Sequence, residues 1–380
     1  MPPAPVLEQL TAATGPVATA GLVDLPIRLP AGHPLGHGSL RLTLTVDGTT
    51  IVAADPQVGL VHRGAEKLFE VRDYRQILVL ANRHDWLGPV VGELLIASVV
   101  EDALGLEVPE RARWIRLALA ELSRVTSHLT FLSALAGDGL PLAEPLERLV
   151  TLVAEVSGAR MHHMIVQVGG LRADLPQGWV VRARHTVEAA QAEARERCAV
   201  FAGDEFRSRT TGLGVLNAET ALAFGASGPM ARASGVDLDL RRDDPRVGYA
   251  ELVEARHVVT GSAGDVAARI DVLIDEVEVS LELVSRCLDR IEQLDGSVSV
   301  RLPKVLRVPE GDWYAALESP LGAAGCWLVS TGDKVPWRLA LRTPSFAHVG
   351  LLAELLPGTD LADLATVLGS VFVVMGDVDK

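Results

Sequence analysis

Two histidines, His33 and His37, sit in the stretch Gly32-His33-Pro34-Leu35-Gly36-His37-Gly38, just ahead of an alternating segment, Leu40 to Val46. Glycines let a backbone adopt positive φ and approach a ligand closely. An imidazole on such a loop can give or take a proton near neutral pH. On spacing alone the stretch reads either as a hairpin entry with one histidine capping a backbone group, or as a proton-handling loop. His-x-x-x-His away from a helix is a weak metal signal. A second group is the polar run Asn82-Arg83-His84-Asp85-Trp86, set between apolar segments. Buried and paired, such a run is a site; exposed, it is a cap. Asp138 stands between Gly137 and Gly139. A histidine hydrogen-bonded to a carboxylate would be a natural proton donor to a reduced carbonyl.

Other chemistries are excluded by what is missing. There is no Gly-x-x-x-x-Gly-Lys-Ser/Thr loop, no Gly-x-Gly-x-x-Gly opening a helix after a strand, and no nucleophile elbow. Neither a nucleotide nor a flavin is expected on this chain. Cys198, Cys287 and Cys326 are far apart and form no Cys-x-x-Cys, so no structural zinc or iron-sulfur cluster is expected, and a reducing compartment fits. A net charge of -14 argues against nucleic acid as the main partner. Met1 to Thr14 lacks the basic-then-apolar pattern of a signal peptide. The most apolar stretch, Val90 to Val100, is broken by Gly92 and Glu93 and is too short to span a bilayer. The mean hydropathy of +0.26 is high for a lone cytosolic protein and suggests surface covered by partner subunits.

The elements that must hold these groups follow from periodicity. Val17–Ala20, Leu40–Val46 and Thr50–Ala53 read as strands, with Asp47-Gly48 as a hairpin turn. From Leu87 on the chain is mainly helical. One helix of about 25 residues, close to 40 Å, starts at Pro109-Glu110-Arg111 and ends near Gly137-Asp138-Gly139, carrying Arg116, Glu121, Arg124 and His128. A second follows Pro141 to about Ser157, and Arg160-Met161-His162-His163 continues toward Gly169-Gly170, which stops it. A third covers Val180 to Ala202, a Gly-rich connection spans Gly212 to Gly235, and a fourth helix covers Asp265 to Leu294 with a core-packing stripe. Strands return at Trp327–Ser330 and Pro336–Leu341, and a last helix follows Phe346. The expectation is an α+β fold in one intimate unit: a β subdomain at 15–55, a helical core at 87–300, and an α+β subdomain at 301–380.

Ordered motifs then carry a resemblance. They are His33-Pro34 with His37-Gly38; His62-Arg63-Gly64 with Glu66-Lys67-Leu68; Glu121-Leu122-Ser123-Arg124; Ser157-Gly158-Ala159-Arg160-Met161-His162; Arg232-Ala233-Ser234-Gly235-Val236; Pro344-Ser345-Phe346; and the ending Met375-Gly376-Asp377-Val378-Asp379. From about residue 28 to 380 the chain resembles the D-type subunit of the respiratory NADH:quinone oxidoreductase, complex I, as a divergent copy. That family is related to the large subunit of nickel-iron hydrogenases, and the resemblance implies the same fold.

The resemblance implies a wall of the quinone chamber, next to the terminal cluster of an iron-sulfur subunit. His37 would bond the quinone head group, and Asp138 would pair with His37 and fix its tautomer. Trp86 stands where the family has a tyrosine on the other quinone oxygen; indole donates through N–H but delivers no phenolic proton. Arg83, His84 and Asp85 would support these groups. Three further departures remove polarity: Pro145 and Leu146 thin a charged cluster, leaving Glu147-Arg148; Gln167 replaces an arginine; Phe372-Val373 replace Asp-Pro. The positions of the hydrogenase cysteines fall on Asp85, Gly88, Val374 and Asp377, so no nickel-iron centre and no other metal is expected. Quinone is then the substrate. Menaquinone is the quinone suggested by the arginine and alanine bias of a GC-rich bacterial gene, lysine occurring only at Lys67, Lys304, Lys334 and Lys380. NAD would be used by the complex but not bound here. The implied partners are the iron-sulfur subunit, other hydrophilic-arm subunits and membrane-arm subunits, at the cytoplasmic face of the cell membrane. The alternative is a non-catalytic scaffold copy, or one with a different electron donor.

Overall fold

Alternation of apolar residues builds the first sheet. The computed structural model describes residues 21–29, 39–136, 142–252 and 257–380. His33, His37, Asp138 and the expected strand Val17–Ala20 lie outside the described residues. Strands β1 (Leu22–Leu29), β2 (Leu40–Asp47) and β3 (Thr50–Gln57) pair antiparallel in the order β1-β2-β3. Leu40, Leu42, Leu44 and Val46 of β2 all point into the core, and Gly48 turns the β2–β3 hairpin at φ 60°. β1 was not expected from the sequence. Its Leu25, Ile27 and Leu29 alternate inward, but Pro26 breaks the pattern. Proline is tolerated there because β1 is an edge strand, where a missing N–H costs no ladder bond. The C-terminal segment ties onto β3: Ile51 N donates to Thr359 O at 2.9 Å and Gly358 N to Ile51 O at 2.8 Å.

Five longer helices form the centre. α1 (Pro89–Leu104) is apolar nearly all round and correspondingly buried on every side, with Pro89 in its first turn. α2 (Glu110–Ala136, 27 residues) is about 40 Å long and packs along α5 (Val266–Glu292). Between them in sequence come α3 (Ala143–Ser157) and α4 (Trp179–Cys198). Asp265 starts α5 by accepting from Ala268 N at 2.8 Å. α3 ends at Ser157, as expected, and the stretch from Arg160 toward Gly169-Gly170 does not continue it. Gly158 takes the left-handed conformation, φ 75°, and stops the helix, so His162 and His163 lie in irregular chain beyond it. A short hairpin, β4 (Val166–Gln167) and β5 (Gly170–Leu171), follows. Gly170 is required: a Cβ there would lie 2.1 Å from Val298 O.

The connection 212–235 carries two short helices, Ala218–Ala223 and Gly228–Arg232. The last sheet is β6 (Glu310–Ser319), β7 (Gly322–Thr331) and β8 (Arg338–Arg342), antiparallel in that order, with β6 and β7 against α1. β6 was not read from the sequence, because its first half is exposed and charged and only Ala315–Ser319 is buried on both faces. Small helices, Pro344–Gly350 and Met375–Val378 among them, close the chain against the core. The whole is mixed α and β, as expected.

Candidate functional site

The run Asn82–Trp86 is buried and paired. The turn following the helix Ile77–Ala81 folds it under the N-terminus of α1. Asn82 is fully buried and donates to Glu93 Oε1 at 2.7 Å, and Glu93 also accepts from Met164 N at 2.7 Å and Val166 N at 2.9 Å. Burial pushes the Glu93 carboxyl up, and those three donors pull it back only in part. Arg83 donates to Asn82 Oδ1 at 3.0 Å, and its own carbonyl accepts from Arg63 at 2.9 Å. Burial lowers the His84 imidazole, which contacts Ala81 O at 3.2 Å. Asp85 Oδ1 accepts from Leu87 N at 3.1 Å and Gly88 N at 3.0 Å, holding the turn into α1. Burial and the charge of Asp377 nevertheless push Asp85 up to about 8.

The structure brings together the segments that carry Asp85 and Asp377. A Cβ on Gly376 would meet His84 O at 2.5 Å, and one on Gly88 would meet Asp85 Oδ2 at 2.5 Å. Asp377 Oδ2 accepts from Ser345 N at 3.1 Å. The three cysteines are buried in separate elements, and burial raises each thiol, Cys198 to about 11.

Trp86 is half-buried and lines a cavity of about 240 Å³ with Leu87, Pro89, Leu146, Val150, Val153 and Met161, and with the polar residues Ser123, Thr126, Thr130 and His163. Leu146 therefore faces this cavity. At its rim the remaining Glu147 accepts both ends of the Arg160 guanidinium, at 2.8 and 2.6 Å. Gln167 donates to Leu171 O at 3.0 Å, and its carbonyl accepts from Arg116 at 2.7 Å. Phe372 packs edge-on against Phe131, centroids 5.4 Å apart.

One large constellation was not identified as a site from sequence. On α2, Glu121, Arg124 and His128 are all fully buried, and so are Arg232 and Glu276. Arg232 donates to Glu276 Oε1 through Nε at 2.9 Å and to Glu318 Oε1 at 2.7 Å. His128 Nε2 lies 3.0 Å from Glu276 Oε2. Arg124 donates to the carbonyls of Glu318 and Ser319 at 2.7 and 2.8 Å, and Tyr249 donates a short bond to Glu121. Arg241 grips Asp239 through both nitrogens, with Nη2 to Oδ2 at 2.6 Å. Burial raises Asp239, yet Arg241 and Arg232 bring it down to about 2. Burial likewise opposes ionisation of Glu121 and Glu276, and the facing arginines overcome it. Glu318 is the exception: burial and Asp239 keep it above the ordinary carboxylate range despite Arg232. The available signal was the spacing of Glu121, Arg124 and His128 on one face of a helix whose other residues are mostly apolar.

A family model for the 49 kDa subunit of respiratory-chain NADH dehydrogenase matches residues 142–306 and 301–380. The chain belongs to that family. It is 51% identical over 381 residues to a Salinispora tropica protein named as the second D-type subunit of an NADH-quinone oxidoreductase, covering 98% of both chains. A Streptomyces coelicolor protein, named there as the first of its D-type subunits, is 50% identical over 369 residues, covering 94% of this chain and 95% of its own. The D-type subunit from Carboxydothermus hydrogenoformans is 37% identical over 364 residues, covering 94% and 98%. The resemblance read from the ordered motifs is thus shown across the family's length. Among the described residues no helix is long and apolar enough to cross a membrane.

Proposed function

We propose that this chain lines the quinone chamber of a membrane-associated NADH:quinone oxidoreductase, with the other subunits of that complex as its partners. The observation that carries the reading is the juxtaposition at residues 85–86: a largely apolar cavity walled by Trp86, next to which the buried Asp85 carboxyl holds the turn into α1 and is pushed up to about 8 by burial and Asp377. A cavity of about 240 Å³ suits a quinone head group, with the isoprenoid tail leaving along a partner subunit. His37 bonds one quinone oxygen, Asp138 orients His37, and Trp86 offers its indole N–H to the other oxygen. Arg83, His84 and Asp85 hold the turn that carries Trp86 in place. Electrons arrive from the terminal cluster of an adjacent iron-sulfur subunit, and NAD is used elsewhere in the complex. Reduction of the quinone, menaquinone by the composition argument, then drives proton translocation in membrane-arm subunits. The chain sits peripherally on the cytoplasmic side. The approach of residues 84–88 to 374–377 supports a fold like that of nickel-iron hydrogenase large subunits.

A second reading is favoured by Trp86 itself. Indole supplies no dissociable proton, and Leu146 replaces polarity on the same wall, so the chain would hold the cluster subunit against the membrane arm without reducing quinone, or would serve another donor. The test is quinone reductase activity of the assembled complex carrying His37→Ala or Trp86→Tyr. The catalytic reading expects His37→Ala to lower the rate on the order of 10²-fold, the ordinary worth of a positioned proton donor, and Trp86→Tyr to change it. Rates unmoved by both substitutions refute it and leave the scaffold.

A further inference from the structure

The buried ionic cluster between α2, α5 and β6 has a charge imbalance. Three arginines, Arg124, Arg232 and Arg241, face four carboxyls, Glu121, Asp239, Glu276 and Glu318, together with His128 and Tyr249. Guanidinium groups stay protonated. With all four carboxyls ionised the cluster would bury a net negative charge, which is costly in a low-dielectric interior. One bound proton makes it neutral. Glu318 is the carboxyl that the surroundings keep most nearly protonated, whereas Glu121, Asp239 and Glu276 are each held ionised by arginines.

One helix, α2, borders both this cluster and the cavity. Arg124 and His128 present one side of α2 to the ionic groups, and Ser123, Thr126 and Thr130 present another to the Trp86 cavity. Ser127 lies between these two sides on the helical wheel. Ser123 Oγ, Ser127 Oγ and His128 Nδ1 are all buried, and none has a hydrogen-bond partner among the described residues. Buried hydroxyls and imidazole nitrogens in that condition are the groups that internal water satisfies.

We propose that the ionic cluster stores one exchangeable proton and delivers it through His128, Ser127 and Ser123, with intervening water, to a quinone reduced in the Trp86 cavity. This rests on the quinone reading above. The quinone takes two electrons from the iron-sulfur carrier and two protons. One proton leaves the Glu318 carboxyl, which becomes a carboxylate and is reloaded from bulk water. The other comes from the His37 side.

The assembled complex in vesicles carries the test. Infrared difference spectra between low and high pH should contain the carbonyl stretch of a protonated carboxyl that disappears in Glu318→Gln. Quinone reductase activity should fall roughly 10²-fold in Ser127→Ala, more at high pH than at low, and recover in Ser127→Thr. Electron transfer from NADH to an artificial one-electron acceptor should be unchanged. Spectra of wild type and Glu318→Gln that coincide overturn the proton store. A Glu318 band together with wild-type quinone rates in Ser127→Ala across pH overturns the delivery route. If Glu318→Gln does not assemble, Ser127→Ala and Ser127→Thr still decide the route. A wild-type complex that reduces no quinone defeats the quinone reading and the delivery with it, while the carboxyl band still reports on the stored proton.

Discussion

Replacing Asp85 by asparagine should stabilise this protein at pH 8 and leave it unchanged near pH 4. The unfolded chain releases the Asp85 proton near pH 4. The folded chain keeps it to about 8, because burial and Asp377 disfavour the charge. Between those pH values the folded state binds more protons than the unfolded one, so stability falls as pH rises through the window and is lowest above its upper end. The shift of about four units corresponds to on the order of 5 kcal/mol if nothing relaxes. Because water can enter around the Asp85 carboxylate at high pH, the expected gain is about 1–3 kcal/mol. Asparagine is the close match to protonated aspartate. Its Oδ1 can still accept from Leu87 N and Gly88 N, the two bonds that hold the turn into α1. The assay is urea unfolding of wild type and Asp85→Asn, each at pH 4 and pH 8, read as midpoint at constant slope. A variant that is less stable than wild type at pH 8 would show that the carboxylate, not the acid, is the form the fold requires, and would remove Asp85 as a neutral neighbour of the cavity.

Arg232→Ala leaves Glu276 and Glu318 facing each other without their shared guanidinium, and should cost about 3–5 kcal/mol by the same unfolding assay. Arg232→Lys should recover little of this, since one ammonium cannot reach both carboxyls in the fixed fork that Arg232 uses. Gly92→Ala tests packing alone: alanine favours a helix by about 1 kcal/mol, but the new Cβ would lie 2.4 Å from the Ala81 carbonyl oxygen. A net loss of about 1–2 kcal/mol is expected, and a gain would mean that the helix Ile77–Ala81 gives way freely.

The parts of this fold that were legible in sequence are those where one rule acts alone. The α5 stripe, the Asp47-Gly48 turn and the long α2 followed from periodicity and turn chemistry, and all three are present. Two strands escaped notice because their tertiary setting overrides local pattern. β1 tolerates Pro26 only because it is an edge, and β6 is half charged because only its second half enters the core. The site divides in the same way. The run 82–86 announced itself as polar residues between apolar ones, but only the fold decides that it is buried. The ionic cluster is harder to read, since its members come from separate stretches between Glu121 and Glu318, and a pairing across 195 positions leaves no trace in any local window.

The Trp86 cavity and the buried ionic cluster lie on different sides of α2, and that separation bears on how the cavity obtains protons. Leu146 and Trp86 line the cavity together with Ser123, Thr126, Thr130 and His163, so the groups there that could carry a proton are hydroxyls and one imidazole. Across the helix, Glu121, Arg124 and His128 remain, each buried and tied to partners on other elements. A buried ionic network is weak evidence for stability, because its desolvation cost offsets its attraction. If the cluster were only a structural relic, replacing Arg232, Glu276 and Glu318 together by apolar residues of similar volume should be neutral or stabilising and should leave quinone reduction intact. If it feeds the cavity, the same triple replacement should keep the fold and lose the activity. The two explanations therefore part on a single variant in which stability and turnover are measured side by side.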